Sequence, residues 1–254
     1  MFRTPAAATC SLFAALSLSA CSSIAGENTD ELTSLAPLGP VVTVSPDPSA
    51  APFADRAKLR AALLDIGDLP VGFSPVPNLE DLGLQRTPER TDLGAPLAPA
   101  TNTDPAECAA ILSPVADQRT GAVASASNAF TGPGFVSIDQ DAASYETGAD
   151  AADAFAKIQA ILHDCGEYSG TDADGIEVHN RIGGLAQKTE GDASVAFRLI
   201  TSSAGLDLVS DAMVAIVGNT VTQLVATGQE PIDADVFDGM AHTAVDKLVP
   251  APEG

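Results

Sequence analysis

Four cysteines, Cys10, Cys21, Cys108 and Cys165, carry the most readable chemistry in this 254-residue chain. A thiol can take a lipid, form a disulfide or act as a nucleophile, and its context selects among these. Cys21 ends an apolar N-terminal stretch and follows Leu18-Ser19-Ala20, the pattern in which a thiol receives a diacylglyceryl group and becomes the first mature residue. Cleavage there discards Cys10 and uses Cys21, which leaves Cys108 and Cys165 as a pair in an oxidising compartment. A disulfide is the expected state. Closing a loop of about 57 residues would contribute roughly 4 kcal/mol by the chain-entropy argument. No C-x-x-C spacing suggests a redox pair.

The other reactive side chains are scattered. His242 sits four residues from both Asp238 and Asp246, a helical spacing that could raise its pKa or hold a metal weakly, but the expected reading is an ordinary solvated face. His163 and His179 lack ligand spacing. The run Asp172-Ala173-Asp174-Gly175-Ile176-Glu177 has part of a calcium-loop pattern without its third oxygen ligand or distant glutamate. Asp139 and Asp141 fall on one face of a strand, as paired carboxylates of a sugar-cleaving site would, but an acidic chain produces such pairs by chance and this one has no tryptophan. No G-x-S-x-G elbow, P-loop or G-x-G-x-x-G fingerprint is present, and Leu185 breaks any phosphate-loop pattern after Gly183-Gly184. The expectation is a non-enzyme with no cofactor and no metal.

The N-terminus reads as an address. Arg3 precedes an apolar segment over residues 6 to 18, too short for a bilayer that takes about 20 apolar residues. Residues 1–20 are the expected lipoprotein signal peptide. Acyl chains such as palmitate on Cys21, at ~0.8 kcal/mol per buried methylene, would hold the mature chain on the extracytoplasmic face of the cell membrane. Removing the signal leaves 34 acidic side chains against about 11 basic, and such a surface repels nucleic acid. Residues 21–54, with Pro37, Pro40, Pro46, Pro48 and Pro52, read as a tether, residues 55–250 as one domain and 251–254 as a tail.

Several elements must position whatever the domain binds. Leu59, Leu63 and Ile66 predict a first helix over 56–65, followed by a Pro- and Gly-rich loop over 72–99 with one edge strand. A second helix is expected from Thr103 or Asp104 through Leu112, with Pro105 in its first turn and Pro114 ending it. Strands are expected at 121–130 and 134–145, then a helix capped by Asp150 and running to Cys165, with Gly166 making a left-handed exit. A polar loop over 167–175 would lead to strands at 176–182, 193–202, 206–217 and 220–227, the last two joined by the tight turn Gly218-Asn219. The final helix spans 233–249. Strand pairs and helices in blocks predict an α+β fold, a central antiparallel sheet packed by helices. With helices on one side, a second face stays open, and Ser210, Thr220, Thr222 and Gln223 are its candidate lining residues.

Three segments carry a family resemblance: Leu63-Leu64 through Asp68-Leu69-Pro70-Val71-Gly72-Phe73, then Pro105-Ala106-Glu107-Cys108-Ala109, then Ala151-Ala152-Asp153-Ala154-Phe155 leading to Cys165. They resemble mycobacterial and related actinobacterial lipoproteins, whose domain is similar to the extracellular sensor domain of an actinobacterial receptor Ser/Thr kinase. The resemblance implies a mixed domain around an antiparallel sheet, a ligand-binding cleft and no catalysis. That kinase domain carries two disulfides where this mature domain can form one, and its Trp before the second cysteine is Leu162, His163 or Asp164 here. The implied function is a sensor-like binding domain for a small molecule or an envelope partner. The alternatives are an envelope assembly lipoprotein and a carrier of an apolar lipid.

Overall fold

A computed structural model describes residues 35–45, 50–77, 102–172 and 174–249. The signal peptide, Cys21 and the tail lie outside the described residues. The described residues from 35 onward form one unit around a nine-stranded antiparallel sheet. The fold class is α+β, as the sequence implies.

The sheet grows from its central hairpin. Strands β8 (Leu206–Val217) and β9 (Thr220–Gly228) pair from Val209/Gly228 to Val217/Thr220, and Gly218 supplies the positive φ that their turn requires. On one side follow β4 (Ser137–Tyr145), β3 (Ala122–Thr131) and the short β1 (Ser74–Val76); on the other follow β7 (Ala193–Ser203), β6 (Glu177–Gly184), β5 (Glu167–Thr171) and β2 (Asn102–Asp104).

Helices cover both faces, not one. On the first face, α3 (Gly148–Asp164) packs Ala151, Phe155, Ile158 and Leu162 against Ala212, Val214, Ile216 and Val221. On the second, α4 (Ala234–Asp246) packs Phe237, Met240 and Ala244 against Met213, Ala215 and Leu224. The two helices explain why β8 is buried without alternation from Val209 to Ile216, while Leu206 and Leu208 extend beyond them and are exposed. Each fully buried large apolar side chain contributes about 1.5–3 kcal/mol.

Elsewhere the elements depart from the sequence expectations. The first helix, α1 (Arg56–Ala61), is capped by Asp55 and is shorter than expected; Leu63 and Leu64 are still buried but Ile66 starts a separate 3₁₀ turn and is exposed. The expected second helix is instead strand β2, a cis Asp104–Pro105 bond and a 3₁₀ turn over Ala106–Ala110, and Pro114 caps a new one-turn helix, α2 (Val115–Gln118), rather than ending one. Thr147, not Asp150, caps α3, and its hydroxyl accepts the Asp150 N–H at 3.2 Å. Gly166 does not adopt positive φ; the helix ends at Cys165 without it. The expected loop after Cys165 is strand β5, recruited by β6 and covered on its far edge by β2. Residues 78–101 lie outside the described residues.

The folded unit also starts earlier than residue 55. Residues 35–45 run as an extended strap on the α3 face, with Leu38 and Val44 packed on the core. Gln159 of α3 grips Val42 twice, accepting its N–H at 2.8 Å and donating to its carbonyl at 3.0 Å. Ala36 bridges to Gly184, and a Cβ at Gly183 or Gly184 would collide with Leu35 or with the Pro37 carbonyl. The glycine pair therefore admits the strap, not a phosphate. Further on, Phe53 donates its N–H to Ser144 Oγ at 2.9 Å.

Candidate functional site

Because α3 covers only the middle of its face, part of the sheet beside it is left as the floor of a cleft of about 1220 Å³. Ser125, Ser127 and Ala129 of β3, Asp139 and Asp141 of β4, and Gln223, Val225 and Thr227 of β9 line it. Leu112, Pro114, Ala116 and Asp117 form one wall; Pro75, Val76 and Pro77 with Arg56 and Arg60 form the other side.

Asp141 organises the wall. Its Oδ1 accepts the Val115 N–H at 2.7 Å, and its Oδ2 lies 3.4 Å from Gln223 Nε2, whose other bond goes to the Ser113 carbonyl at 3.3 Å. Burial raises its pKa to about 7; the Val115 and Gln223 hydrogen bonds oppose that rise, and Asp117 and Asp139 add to it. Asp139, more open to solvent, is also raised, mainly by desolvation. Two carboxyls of reduced acidity thus face a polar hollow with Ser and Thr hydroxyls around them. The arrangement can hold hydrogen-bonding or cationic groups.

Of the four candidate lining residues, only Gln223 lines the cleft. Thr220 donates to Ser144 Oγ at 3.1 Å, and Thr222 bonds the Asp141 carbonyl at 2.9 Å on the other face of the sheet. Ser210 shares a 2.8 Å bond with Thr227. All four are buried rather than solvated. The Asp139/Asp141 pair, in contrast, is brought into the cleft. The wall residues Leu112 to Asp117 and the floor residues Ser125 and Ser127 were not among the candidates, and their polar-apolar mixture carries no motif.

The remaining candidates are dispersed. Cys108 and Cys165 form a disulfide that ties the 3₁₀ turn before α2 to the end of α3, with Cα atoms 5.8 Å apart. His242 is exposed and held between Glu190 Oε2 at 3.0 Å and Asp246 Oδ2 at 3.2 Å; Asp238 is not its partner. Those carboxylates raise its pKa, the Glu190 hydrogen bond most strongly. His163 and His179 are exposed, the latter 3.5 Å from Glu177. Asp172 Oδ1 accepts the N–H groups of Asp174 and Ile176 at 2.9 and 2.8 Å, so it closes its own turn. No group of three or more His, Cys, Asp or Glu among the described residues could hold a metal ion. A bidentate pair that no motif signals ties two neighbouring strands: part-buried Arg198 donates from Nε to buried Asp211 Oδ1 at 2.6 Å and from Nη2 to Oδ2 at 3.0 Å.

No protein-family model and no curated protein matches this chain. Among solved structures, the extracellular domain of PknH from Mycobacterium tuberculosis aligns at TM-score 0.56 and 15% identity, covering 80% of this chain and 98% of that one. An Rv0999 ortholog from Mycobacterium smegmatis aligns at TM-score 0.39 and 15% identity over 78% of this chain and 99% of that one, too loosely to argue from. The described domain shares the fold of the PknH extracellular domain.

Proposed function

We propose that this chain is a lipid-anchored, extracytoplasmic binding protein that holds a ligand in the cleft over β3, β4 and β9 without transforming it. The observation that carries this reading is the cleft itself, roomy and half polar, beside a tightly packed core. Anchorage is supported by the Leu18-Ser19-Ala20-Cys21 pattern and by the disulfide, which suits an oxidising compartment. No helix among the described residues is long and apolar enough to cross a membrane. The shared fold with an extracellular domain agrees with that location. The polar floor disfavours an apolar-lipid carrier.

The test is a titration of the ¹⁵N-labelled full chain with a small-molecule extract of its own envelope. Saturable shifts confined to Ser125, Ser127, Asp139, Asp141 and Gln223 support the cleft. Shifts on another surface, or none at all, overturn it.

A further inference from the structure

The two most exposed large apolar side chains among the described residues are neighbours. Val71 and Phe135 are 103% and 93% exposed, where the next, Leu206, is 68% exposed. Strand β1 pairs Ser74 with Thr131, and the antiparallel register continued past its start brings Val71 beside Gly134, next to Phe135. Close packing agrees with that placement: a Cβ at Gly132 would strike the Phe73 ring, and one at Gly72 would come within 3.1 Å of Pro133 Cγ. The corner so formed is the tip of the β3–β4 hairpin. Both strands of that hairpin are described, and β1 carries its chain away from the tip, toward Ala129, before residue 78.

The tip presents its phenylalanine against the preference of the backbone. Gly134 and Phe135 both have positive φ, 68° and 62°, and the Val136 N–H closes the turn on the Pro133 carbonyl at 3.4 Å. A hairpin turn with two positive φ angles favours glycine at the second position, and a bulky side chain there is strained. The ring belongs to none of the core clusters, so no packing inside the molecule accounts for that strain.

The corner is also neutral. Residues 69–77 and 120–138 carry no charged side chain, in a chain with 12 basic and 34 acidic ones. Arg56 and Arg60 stand on α1, whose Leu59 packs with Ala124 and Ala126, and Ala126 is about 16 Å up β3 from Thr131. Asp68 is held by Lys247, Asp139 lines the cleft, and Glu230 lies against Gly228 beside Val136, so these acids stand behind the turn. The β7–β8 hairpin differs: its exposed Leu206 is followed by Asp207 and shares its end with Glu177 and His179.

Size and shape select the occupant. A phenylalanine buries about 150–250 Å², and a stable protein interface takes about 800 Å² from each partner. One ring with Val71 and Pro133 falls short of that, and a hairpin tip is convex, not grooved. A fluid bilayer interface needs no complementary surface and accepts an uncharged apolar tip. Acylated at Cys21, the chain would have 14 residues before Leu35, a reach of at most about 50 Å, and a domain of this size is about 45 Å across, so any side of it can meet the bilayer. Tethering also makes a weak contact sufficient.

Resting on the lipid-anchored reading, we propose that the β3–β4 hairpin tip docks on the membrane that carries the anchor. Phe135 and Val71 enter the interface and fix which end of the domain faces the bilayer.

The chain has no tryptophan, so Phe135→Trp places a single reporter at the tip and Leu206→Trp one on the other exposed hairpin. Both positions are exposed, and folding is not at stake. The two lipidated chains, extracted from their own membranes, are reconstituted on phosphatidylcholine vesicles with and without bromine on the acyl chains. The Phe135→Trp chain should emit to the blue of the Leu206→Trp chain and lose roughly half or more of its intensity to bromines ~5–10 Å below the headgroups, while the Leu206→Trp chain keeps its intensity. Equal quenching of the two chains, or of neither, overturns docking by the tip and leaves the anchor in place. A blue shift without bromine quenching means that a protein surface covers the ring, which overturns it as well. Chains that fail to float with the vesicles overturn the anchor and the docking together.

Discussion

Asp141 Oδ1 accepts the N–H of Val115 at 2.7 Å, so a carboxyl in the middle of the sheet holds the first turn of the helix that walls the cleft. That bond links stability, cleft shape and pH through one residue.

With its folded pKa pushed up to about 7, Asp141 binds a proton between about pH 4 and 7 in the folded chain and has lost it in the unfolded one. Stability should therefore fall as pH rises through that window and level off above it. Asp141→Asn keeps an oxygen for Val115 and removes the charge. The variant should match the wild type at pH 4 and exceed it at pH 8 by a few kcal/mol at most, since three pK units amount to about 4 kcal/mol. Urea unfolding at the two pH values measures the difference. A gap that does not change with pH contradicts the assignment.

The Cys108–Cys165 bridge closes a 57-residue loop. Replacing both cysteines by serine should cost roughly 4 kcal/mol, and the oxidised wild type should show the same drop on reduction. Unfolding with and without reductant checks this, and equal midpoints would mean the bridge contributes nothing.

The strap depends on Gln159 and on two glycines. Gln159→Ala removes both bonds to Val42 and should cost about 1–3 kcal/mol, because the Val42 groups lose partners. Gly184→Ala places a Cβ against the Pro37 carbonyl. Both variants should become sensitive to protease within residues 36–44 while strands β3, β4, β8 and β9 stay resistant. Unchanged cleavage there would show that the strap is held by something else.

His242, between Glu190 and Asp246, should titrate above the ordinary histidine value. Its favourable contribution is present when it is protonated, at pH below the unfolded pKa near 6.5, and fades as pH rises through the higher folded value. Glu190→Gln should bring the NMR titration midpoint down toward 6.5. A midpoint that stays put would assign the shift to Asp246 alone.

What the sequence discloses tracks the range over which each feature is determined. The Gly218-Asn219 hairpin is legible because turn chemistry and strand residues are adjacent. Helix α3 is legible because Ala151, Phe155, Ile158 and Leu162 all bury one face. Strand β5 is not, because Glu-Tyr-Ser-Gly-Thr has no apolar alternation and becomes a strand only through the β6 and β2 edges beside it. Nor is the strap, whose prolines read as linker while its anchor, Gln159, lies 117 residues from Val42. Asp141 shows the same limit. An aspartate in a strand looks solvated until α2, 26 residues earlier, folds over it. The cleft is missed for a related reason: helices on both faces were needed to show which patch they leave bare.

Native mass spectrometry of the chain extracted from its own membranes, beside Ser127→Phe, tests the binding claim most directly. Ser127 is a small side chain on the cleft floor, and a phenylalanine there would fill the hollow without entering the α3 core. A stoichiometric ligand mass on the wild type that disappears from the variant is the predicted result. No bound mass on the wild type, or the same mass retained by Ser127→Phe, would contradict the account.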